Sequence, residues 1–234
     1  MESEEFRKAK LAALAEFAAG AGHEINNPVA TIVGRAELLL KDETNPERRQ
    51  ALLTIGAQAL RVRDMIGDLM LFARPPKPEP QSLDLNEVVE DVLRKLSDVL
   101  RAKSLTIERR GQSPVRIWAD AVQLRVVVSN LLLNSAMAST IKGTVVVTCE
   151  STLEMGLPPS ALLTVEDHGA GLSPEDCDHL FDPFYSARQA GRGLGFGLPK
   201  CWTIVEQHGG RIEVTSGPSG VTRFRVVWPS EARF

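Results

Sequence analysis

Several groups of residues in this chain have the types and spacing to do chemistry. His23-Glu24-Ile25-Asn26-Asn27-Pro28 sets an imidazole beside a carboxylate and two amides. A neutral imidazole keeps one ring nitrogen free as a nucleophile. A carboxylate that accepts a hydrogen bond from the other nitrogen fixes the tautomer and raises nucleophilicity, and Glu24 is adjacent. Asn27 follows His23 by one helical turn, on the same face, where an amide can position a water. Pro28 removes a helix hydrogen bond and presses on the Glu24 carbonyl four residues earlier. An exposed His beside a Glu is by itself ordinary surface decoration, but a proline in mid-helix needs a reason.

Asn130-Leu131-Leu132-Leu133-Asn134 places two amides four residues apart, hence on one helix face among apolar neighbours. Such amides are costly to bury without partners. Hydrated Mg²⁺ carrying phosphates is one partner, since Mg²⁺ takes few direct protein ligands; a pair of structural amides is the alternative. Val165-Glu166-Asp167-His168-Gly169-Ala170-Gly171 reads as a strand end entering a glycine-broken loop. Asp167 at the floor of that loop can accept a hydrogen bond from an exocyclic amine such as that of adenine. Gly169 and Gly171 let backbone approach the ring closely. Gly191-Arg192-Gly193-Leu194-Gly195-Phe196-Gly197 opens a helix, where successive N–H groups form an anion site for phosphates. Each glycine stretch alone is a weak signal. Asp-x-Gly-x-Gly followed about twenty residues later by Gly-x-Gly-x-Gly before a helix is far more specific. The order of elements fits neither a dinucleotide-binding fingerprint nor a P-loop, and no Gly-Lys-Ser/Thr occurs.

The elements that must carry these residues fall into two groups. From about Ser3 to Lys41 the apolar positions Leu11, Leu14, Ala18, Ala21, Ile25, Ile32 and Leu39 recur at heptad spacing. A helix of that length runs roughly 55–60 Å, with His23 facing outward from the stripe. Asn45 caps a second helix that has Pro46 at its first position. That helix runs to Ala73 along Leu52, Ile55, Ala59, Val62, Ile66 and Leu69. Two such helices form an αα-hairpin whose stripe one copy leaves half covered. Two hairpins closing into a four-helix bundle would bury it, which predicts a homodimer; a hairpin packed on the rest of its own chain is the alternative.

Residues 75–81, rich in proline, read as a linker that cannot form helix or sheet interior. Beyond it, strands are expected at about Leu105–Arg109, Val115–Trp118, Thr144–Cys149, Ala161–Glu166, Arg211–Thr215 and Thr222–Val227. Helices are expected at about Asn86–Ala102, Ala121–Thr140 and Gly195–His208. Strand–strand hairpins outnumber βαβ units, so the class is α+β with a largely antiparallel or mixed sheet. The expected division is a helical hairpin over 1–74, the linker over 75–81 and an α/β domain over 82–234.

Apolar residues make up 43 % and charged residues 24 %, ordinary for a globular protein. A formal net charge of −3 argues against a nucleic-acid partner. No apolar run approaches the roughly 20 residues of a membrane helix, and no secretory signal pattern opens the chain; a cytoplasmic location is expected. Cys149, Cys177 and Cys201 match no zinc spacing and read as reduced structural thiols.

Taken together, the sequence resembles the two-component histidine kinases over nearly its whole length. His23 through Pro28 resembles the phosphoacceptor box and Asn130 to Asn134 the N box. Asp167 to Gly171 resembles the first glycine box, Phe181-Asp182-Pro183-Phe184-Tyr185 the F box, and Gly191 to Gly197 the second glycine box, all in the family's order. The resemblance implies a dimeric helical bundle followed by a two-layer α/β sandwich that binds ATP and Mg²⁺. It implies that Asn134 ligates Mg²⁺, that Asn130 stands close to the nucleotide, and that Asp167 binds adenine. Gly169, Gly171, Gly191, Gly193, Leu194, Gly195 and Gly197 would line the nucleotide. Arg188 stands where many members have a Lys facing the phosphates, so charge is kept while geometry changes. Met137 stands where some members have a second basic residue. The ATP lid should be small, with Ser186 to Ala190 as its mobile part.

The implied reaction is in-line phosphoryl transfer from ATP to His23, then to an Asp of a response-regulator receiver domain, with phosphatase action on the regulator as a further activity. About twenty residues precede His23, so the input is expected from an upstream sensor protein or from the rest of a longer kinase. Two other functions compete. An ATPase of the Hsp90-like superfamily, to which the resemblance assigns the ATP-binding domain, with a chaperone or repair role would carry a catalytic Glu in place of Asn130 and no hairpin with a His-Glu box. A degenerate regulator-binding scaffold is opposed by intact His23, Asn134 and Asp167.

Overall fold

A computed structural model of the chain describes residues 4–73, 75–152, 159–185, 195–217 and 220–231; the side chains of 4–19, 21, 23 and 73 lie outside that description. The chain divides into two compact units, Met1–Pro76 and Lys77–Phe234.

The first unit is the αα-hairpin of α1 (Glu4–Asp42) and α2 (Pro46–Ala73). The turn is built as its residues dictate. Asn45 Oδ1 accepts from Glu47 N at 2.9 Å and Arg48 N at 3.1 Å, capping α2. Arg49 Nη1 donates to the Leu40 and Glu43 carbonyls, both at 2.9 Å, closing the end of α1. Val29, Ala36 and Ala59 are buried, and Ala36 Cβ lies 3.9 Å from where a Cβ on Gly56 would sit. Ile32 (45 %), Leu39 (59 %), Ile55 (50 %) and Val62 (39 %) are exposed. Much of the heptad stripe is thus left uncovered by a single hairpin and forms an apolar face beside the seam that Val29, Ala36 and Ala59 line.

The second unit holds β1 (Gln81–Asp84), α3 (Leu85–Lys95), α4 (Ser97–Ala102), β2 (Thr106–Gly111), β3 (Arg116–Ala119), α5 (Ala121–Ala138), β4 (Thr144–Thr152) and β5 (Ser160–His168). After these come α6 (Pro174–His179), α7 (Gly197–Gln207), β6 (Arg211–Ser216) and β7 (Val221–Pro229). Five strands form a mixed sheet in the order β2-β4-β5-β7-β6, with β2 and β4 parallel and the other pairs antiparallel. β1 and β3 form a separate antiparallel pair. Helices α3, α5 and α7 pack together, with α5 against β5. The core lies between these helices and the alternate residues Val145, Val147, Leu163, Val165, Phe224 and Val226.

Contrary to the expectation that no apolar run approaches a membrane helix, α5 is apolar over 18 residues, enough by length and composition to match a membrane span. Leu124, Val127, Val128, Leu131 and Leu132 are each at most 1 % exposed, so its apolar character is accounted for by its place as the core helix of this unit. The expected helix Asn86–Ala102 is two helices, because Leu96 leaves helical dihedrals (φ −89°, ψ 2°). β1 and α6 were not expected from the sequence.

Candidate functional site

Asp120 starts the central element of the site. Its Oδ1 accepts from Val122 N at 2.8 Å and Gln123 N at 3.0 Å, which caps α5. Ten residues on, the Asn130 amide nitrogen donates back to the Val126 carbonyl at 2.7 Å. This fixes Oδ1, and a Cβ on Gly197 would stand 3.2 Å from that oxygen. The second glycine stretch therefore begins its helix, α7, directly against Asn130. Asn134, one turn further along, is half-buried on the same helix face.

Asp167 falls in the same strand phase as Leu163 and Val165, the phase the helices cover, and is 1 % exposed. Its Oδ1 accepts from Gly169 N at 3.1 Å. A Cβ on Gly169 would lie 2.6 Å from the Ala138 carbonyl oxygen, so the loop after Asp167 rests on the end of α5. Gly171, at φ +74°, packs 3.1 Å from Gly220 by the same measure, and Leu172 N donates to Ser216 Oγ at 2.8 Å. The structure thus brings Asn130, Asp167, Gly169 and Gly197 onto the two ends of one helix segment. Arg188, Gly191, Gly193 and Leu194 lie outside the described residues, as does the expected small lid at Ser186 to Ala190.

Lys103 was not found by sequence reasoning. Its Nζ donates to the carbonyls of Ala136 (2.8 Å), Met137 (3.1 Å) and Ser139 (3.4 Å), placing a cation at the C-terminus of α5. It lies more than thirty residues away in sequence, so no local spacing could reveal it. Asp176 and Tyr185, joined by a hydrogen bond of 2.6 Å, were also missed as a pair. Ser173-Pro174-Glu175-Asp176 does carry a readable signal, a capping box with Pro at the first helical position.

In the first unit, His23 lies within α1, with its side chain outside the description. Glu24 and Asn27 are exposed. α1 continues through Pro28, and Thr31 Oγ1 donates to the Asn27 carbonyl at 3.0 Å. Gly22, next to His23, is buried, and a Cβ there would lie 2.6 Å from Met70 Sδ.

Among the described residues no group of three or more His, Cys, Asp or Glu could hold a metal ion. The donor set of the site is instead amide oxygen on α5 beside backbone packed too closely for a Cβ. That set suits a hard, largely hydrated divalent cation delivered with phosphates.

Comparison with known proteins gives two matched families. Residues 13–78 match the His Kinase A (phospho-acceptor) domain, and residues 119–232 match the histidine kinase-, DNA gyrase B- and HSP90-like ATPases. The chain is 33 % identical over 225 residues to the sensor histidine kinase ZraS of Klebsiella oxytoca, a match covering 95 % of this chain and 47 % of that protein. The chain spans about half the length of curated relatives it matches, ZraS among them. The full-length ShkA crystal structure with AMPPNP superposes with a TM-score of 0.79 at 23 % identity, over 92 % of this chain and 45 % of that one. Histidine kinase ThkA, in its crystal structure with the response regulator protein TrrA, superposes with a TM-score of 0.67 at 23 % identity, over 99 % of this chain and 67 % of that one.

Proposed function

Since the chain belongs to the two-component histidine kinases and is a catalytic core of that family, with a phospho-acceptor domain and an ATPase domain, we propose that it moves the γ-phosphoryl group of ATP onto His23 and from there to an Asp of a response-regulator receiver domain. The observation that carries this reading is the convergence at α5. A buried carboxylate, Asp167, and a glycine-started helix, α7, meet one helix that bears two amides. In our reading the domains are the hairpin over 1–74, the linker over 75–81 and the ATP-binding domain over 82–234.

Each residue has a distinct task in that reading. Asp167 accepts a hydrogen bond from the adenine amine, and Gly169 and Gly171 keep side chains out of the ring's space. The start of α7, with Gly191, Gly193, Leu194, Gly195 and Gly197, offers backbone N–H groups to phosphate, and Arg188 adds charge. Asn130 and Asn134 present amides toward the phosphates, and Asn134 would hold Mg²⁺. The ion, when bound, neutralises charge on the transferring group. A ring nitrogen of His23 attacks the γ-phosphorus, the bond to the bridging oxygen breaks, and ADP leaves with the electron pair. Glu24 orients the imidazole and compensates the charge it gains. Asn27, exposed one turn on, is placed to position water for dephosphorylation of the regulator.

We assign the exposed face of Ile32, Leu39, Ile55 and Val62 to a second copy of the hairpin, giving a homodimeric four-helix bundle. The receiver domain is taken as partner by likeness to ThkA, whose structure contains one such regulator.

Acid-labile, base-stable phosphate on the chain after incubation with ATP tests the assignment. His23→Ala should abolish the label and leave ATP binding intact, since nucleophile and nucleotide belong to separate units. Asn134→Ala should lose the label with the fold preserved. Label that survives His23→Ala would refute the acceptor.

A further inference from the structure

Building on the ATP-site reading above, we propose that Asp176 is a positioning residue for the phosphate side of the nucleotide site, acting through Tyr185 on the start of α7.

Asp176 uses its two carboxylate oxygens for two different attachments. Oδ2 accepts from Ser173 N at 3.0 Å and Ser173 Oγ at 2.7 Å, while Asp176 N donates to Ser173 Oγ at 3.0 Å. Oδ1 accepts from the Tyr185 hydroxyl at 2.6 Å. One side chain therefore ties the loop that leaves Gly171 to the end of the Phe181–Tyr185 segment. These bonds, the tyrosine's first, hold the Asp176 carboxyl below its usual range, and the same bond pushes Tyr185 up to about 12. Across the physiological range the pair is an anion and a neutral donor, the arrangement that gives a strong hydrogen bond.

Tyr185 in turn meets the glycine stretch that opens α7. A Cβ on Gly195, at φ +74°, would collide with the Tyr185 carbonyl and lie 2.8 Å from the Phe184 carbonyl carbon. Phe184 itself sits at φ +67°, a costly conformation for a bulky residue. Its ring meets Phe196 edge-on with centroids 4.8 Å apart. Phe196 is buried and is the residue that caps α7, immediately before Gly197 and its contact with Asn130. Continuous contacts thus run from Ser173 through Asp176, Tyr185 and Gly195 to the first turn of α7. The strained Phe184 is pinned on one side by a ring and on the other by the anchored tyrosine. Loss of the Tyr185 hydroxyl leaves the ring and the carbonyl contact in place but frees this segment to shift. The displaced groups are the N–H donors at the start of α7 that face phosphate, while the Asp167 side of the site is untouched.

The test uses the full chain with Tyr185→Phe, Asp176→Asn and Asp176→Ala. Dissociation constants are measured for ATP and for adenosine, which lacks phosphates, beside KM and kcat for His23 phosphorylation. Tyr185→Phe should raise Kd and KM for ATP roughly three- to tenfold, the scale of one net intramolecular hydrogen bond. Adenosine affinity and kcat at saturating ATP should stay within about twofold. Asp176→Asn, which can still accept from Tyr185, should recover most of what Asp176→Ala loses. Equal weakening of ATP and adenosine would overturn the proposal. So would a lower kcat and melting temperature at unchanged KM, since both mark a merely structural bond. Asp167→Ala tests the underlying reading separately: it should weaken adenosine and ATP alike, and unchanged adenosine binding there would remove the site itself, whatever Tyr185→Phe does.

Discussion

The carbonyl oxygen of Ala138, at the end of α5, stands 2.6 Å from the point where a Cβ on Gly169 would sit. Backbone meets backbone there, and the space between them admits a hydrogen but not a methyl group. The loop that follows Asp167 is consequently seated on the helix that carries Asn130 and Asn134. Gly169→Ala should force the loop away and break the bond from Gly169 N to Asp167 Oδ1. We expect ATP affinity to fall on the order of tenfold or more by calorimetric titration, because no flexible side chain is available to yield. Affinity within about twofold of wild type would mean the loop does not shape the nucleotide site.

Lys103 holds the same end of α5 by a different route, through three carbonyls that the helix leaves without internal partners. Lys103→Met keeps the stem and removes the donors. It should destabilise the second unit by roughly 1–2 kcal/mol in urea unfolding, with Lys103→Arg recovering part. A variant as stable as wild type would show that solvent satisfies those carbonyls equally well.

The exposed apolar face of the hairpin separates folding from assembly. Ile55 is half exposed in a single chain, so Ile55→Glu should change hairpin stability by no more than about 0.5 kcal/mol. In a four-helix bundle the same residue would be covered, and a buried unpaired carboxylate is strongly unfavourable. We expect light scattering to give a dimer mass for wild type and a monomer mass for Ile55→Glu at equal concentration. A monomeric wild type at micromolar concentration would refute the assembly.

How far the sequence could be read follows from how local each signal is. The start of α2 was legible because Asn45 and Pro46 act within one turn of themselves. Heptad spacing found the apolar stripe but could not say which seam it belongs to. Val29 and Ala36 are buried in one chain while Ile32 and Leu39 are not, and periodicity alone carries no partner identity. The positions of Asn130, Asp167 and Gly197 on facing elements were legible as separate motifs. Their meeting at α5 is set by strand order and helix packing, which join residues from 130 to 197. β1 escaped because Gln81-Ser82-Leu83-Asp84 offers one large apolar residue in four, too little for a period-two pattern. The tie from Asp176 to Tyr185 depends on where a six-residue helix happens to deliver the chain.

Close to His23, Gly22 admits Met70 from the opposite helix, with a Cβ at Gly22 falling 2.6 Å from Met70 Sδ. The obstacle is the flexible thioether, so Gly22→Ala should be tolerated, helped by the better helix propensity of alanine. Gly22→Leu overfills the space and should cost about 1–3 kcal/mol. Met70→Ala added to it should return much of that loss, measured by thermal unfolding of the double variant. Without such compensation, the close approach of α1 and α2 at this level would not be what Gly22 provides.

The last prediction concerns pH and rests on His208. Its Nε2 accepts from Asp120 N at 3.1 Å and its Nδ1 lies 2.8 Å from the Ile204 carbonyl, so the neutral tautomer with the proton on Nδ1 satisfies both. Burial, with the Trp228 ring 4.7 Å away, holds its pKa below the ordinary value of 6.5, against the opposing pull of the Ile204 carbonyl and the Asp120 carboxylate. The unfolded chain therefore takes up a proton below about pH 6.5 that the folded chain refuses, and stability rises with pH in that window. The contribution is fully present above about pH 6.5 and is lost as pH falls through the folded pKa. His179 has the opposite sign, since its bond to Asp182 raises its pKa. That contribution is present below pH 6.5 and lost as pH rises through the raised value, but the pair is exposed and screened by solvent. We expect the melting temperature of the second unit to fall between pH 7 and pH 5.5, with a free-energy slope of at most about 1.4 kcal/mol per pH unit from His208. His208→Gln should lower the melting temperature at pH 7 and flatten its slope. A slope unchanged in His208→Gln, or an imidazole titration of His208 by NMR at or above 6.5, would assign the acid sensitivity to another group.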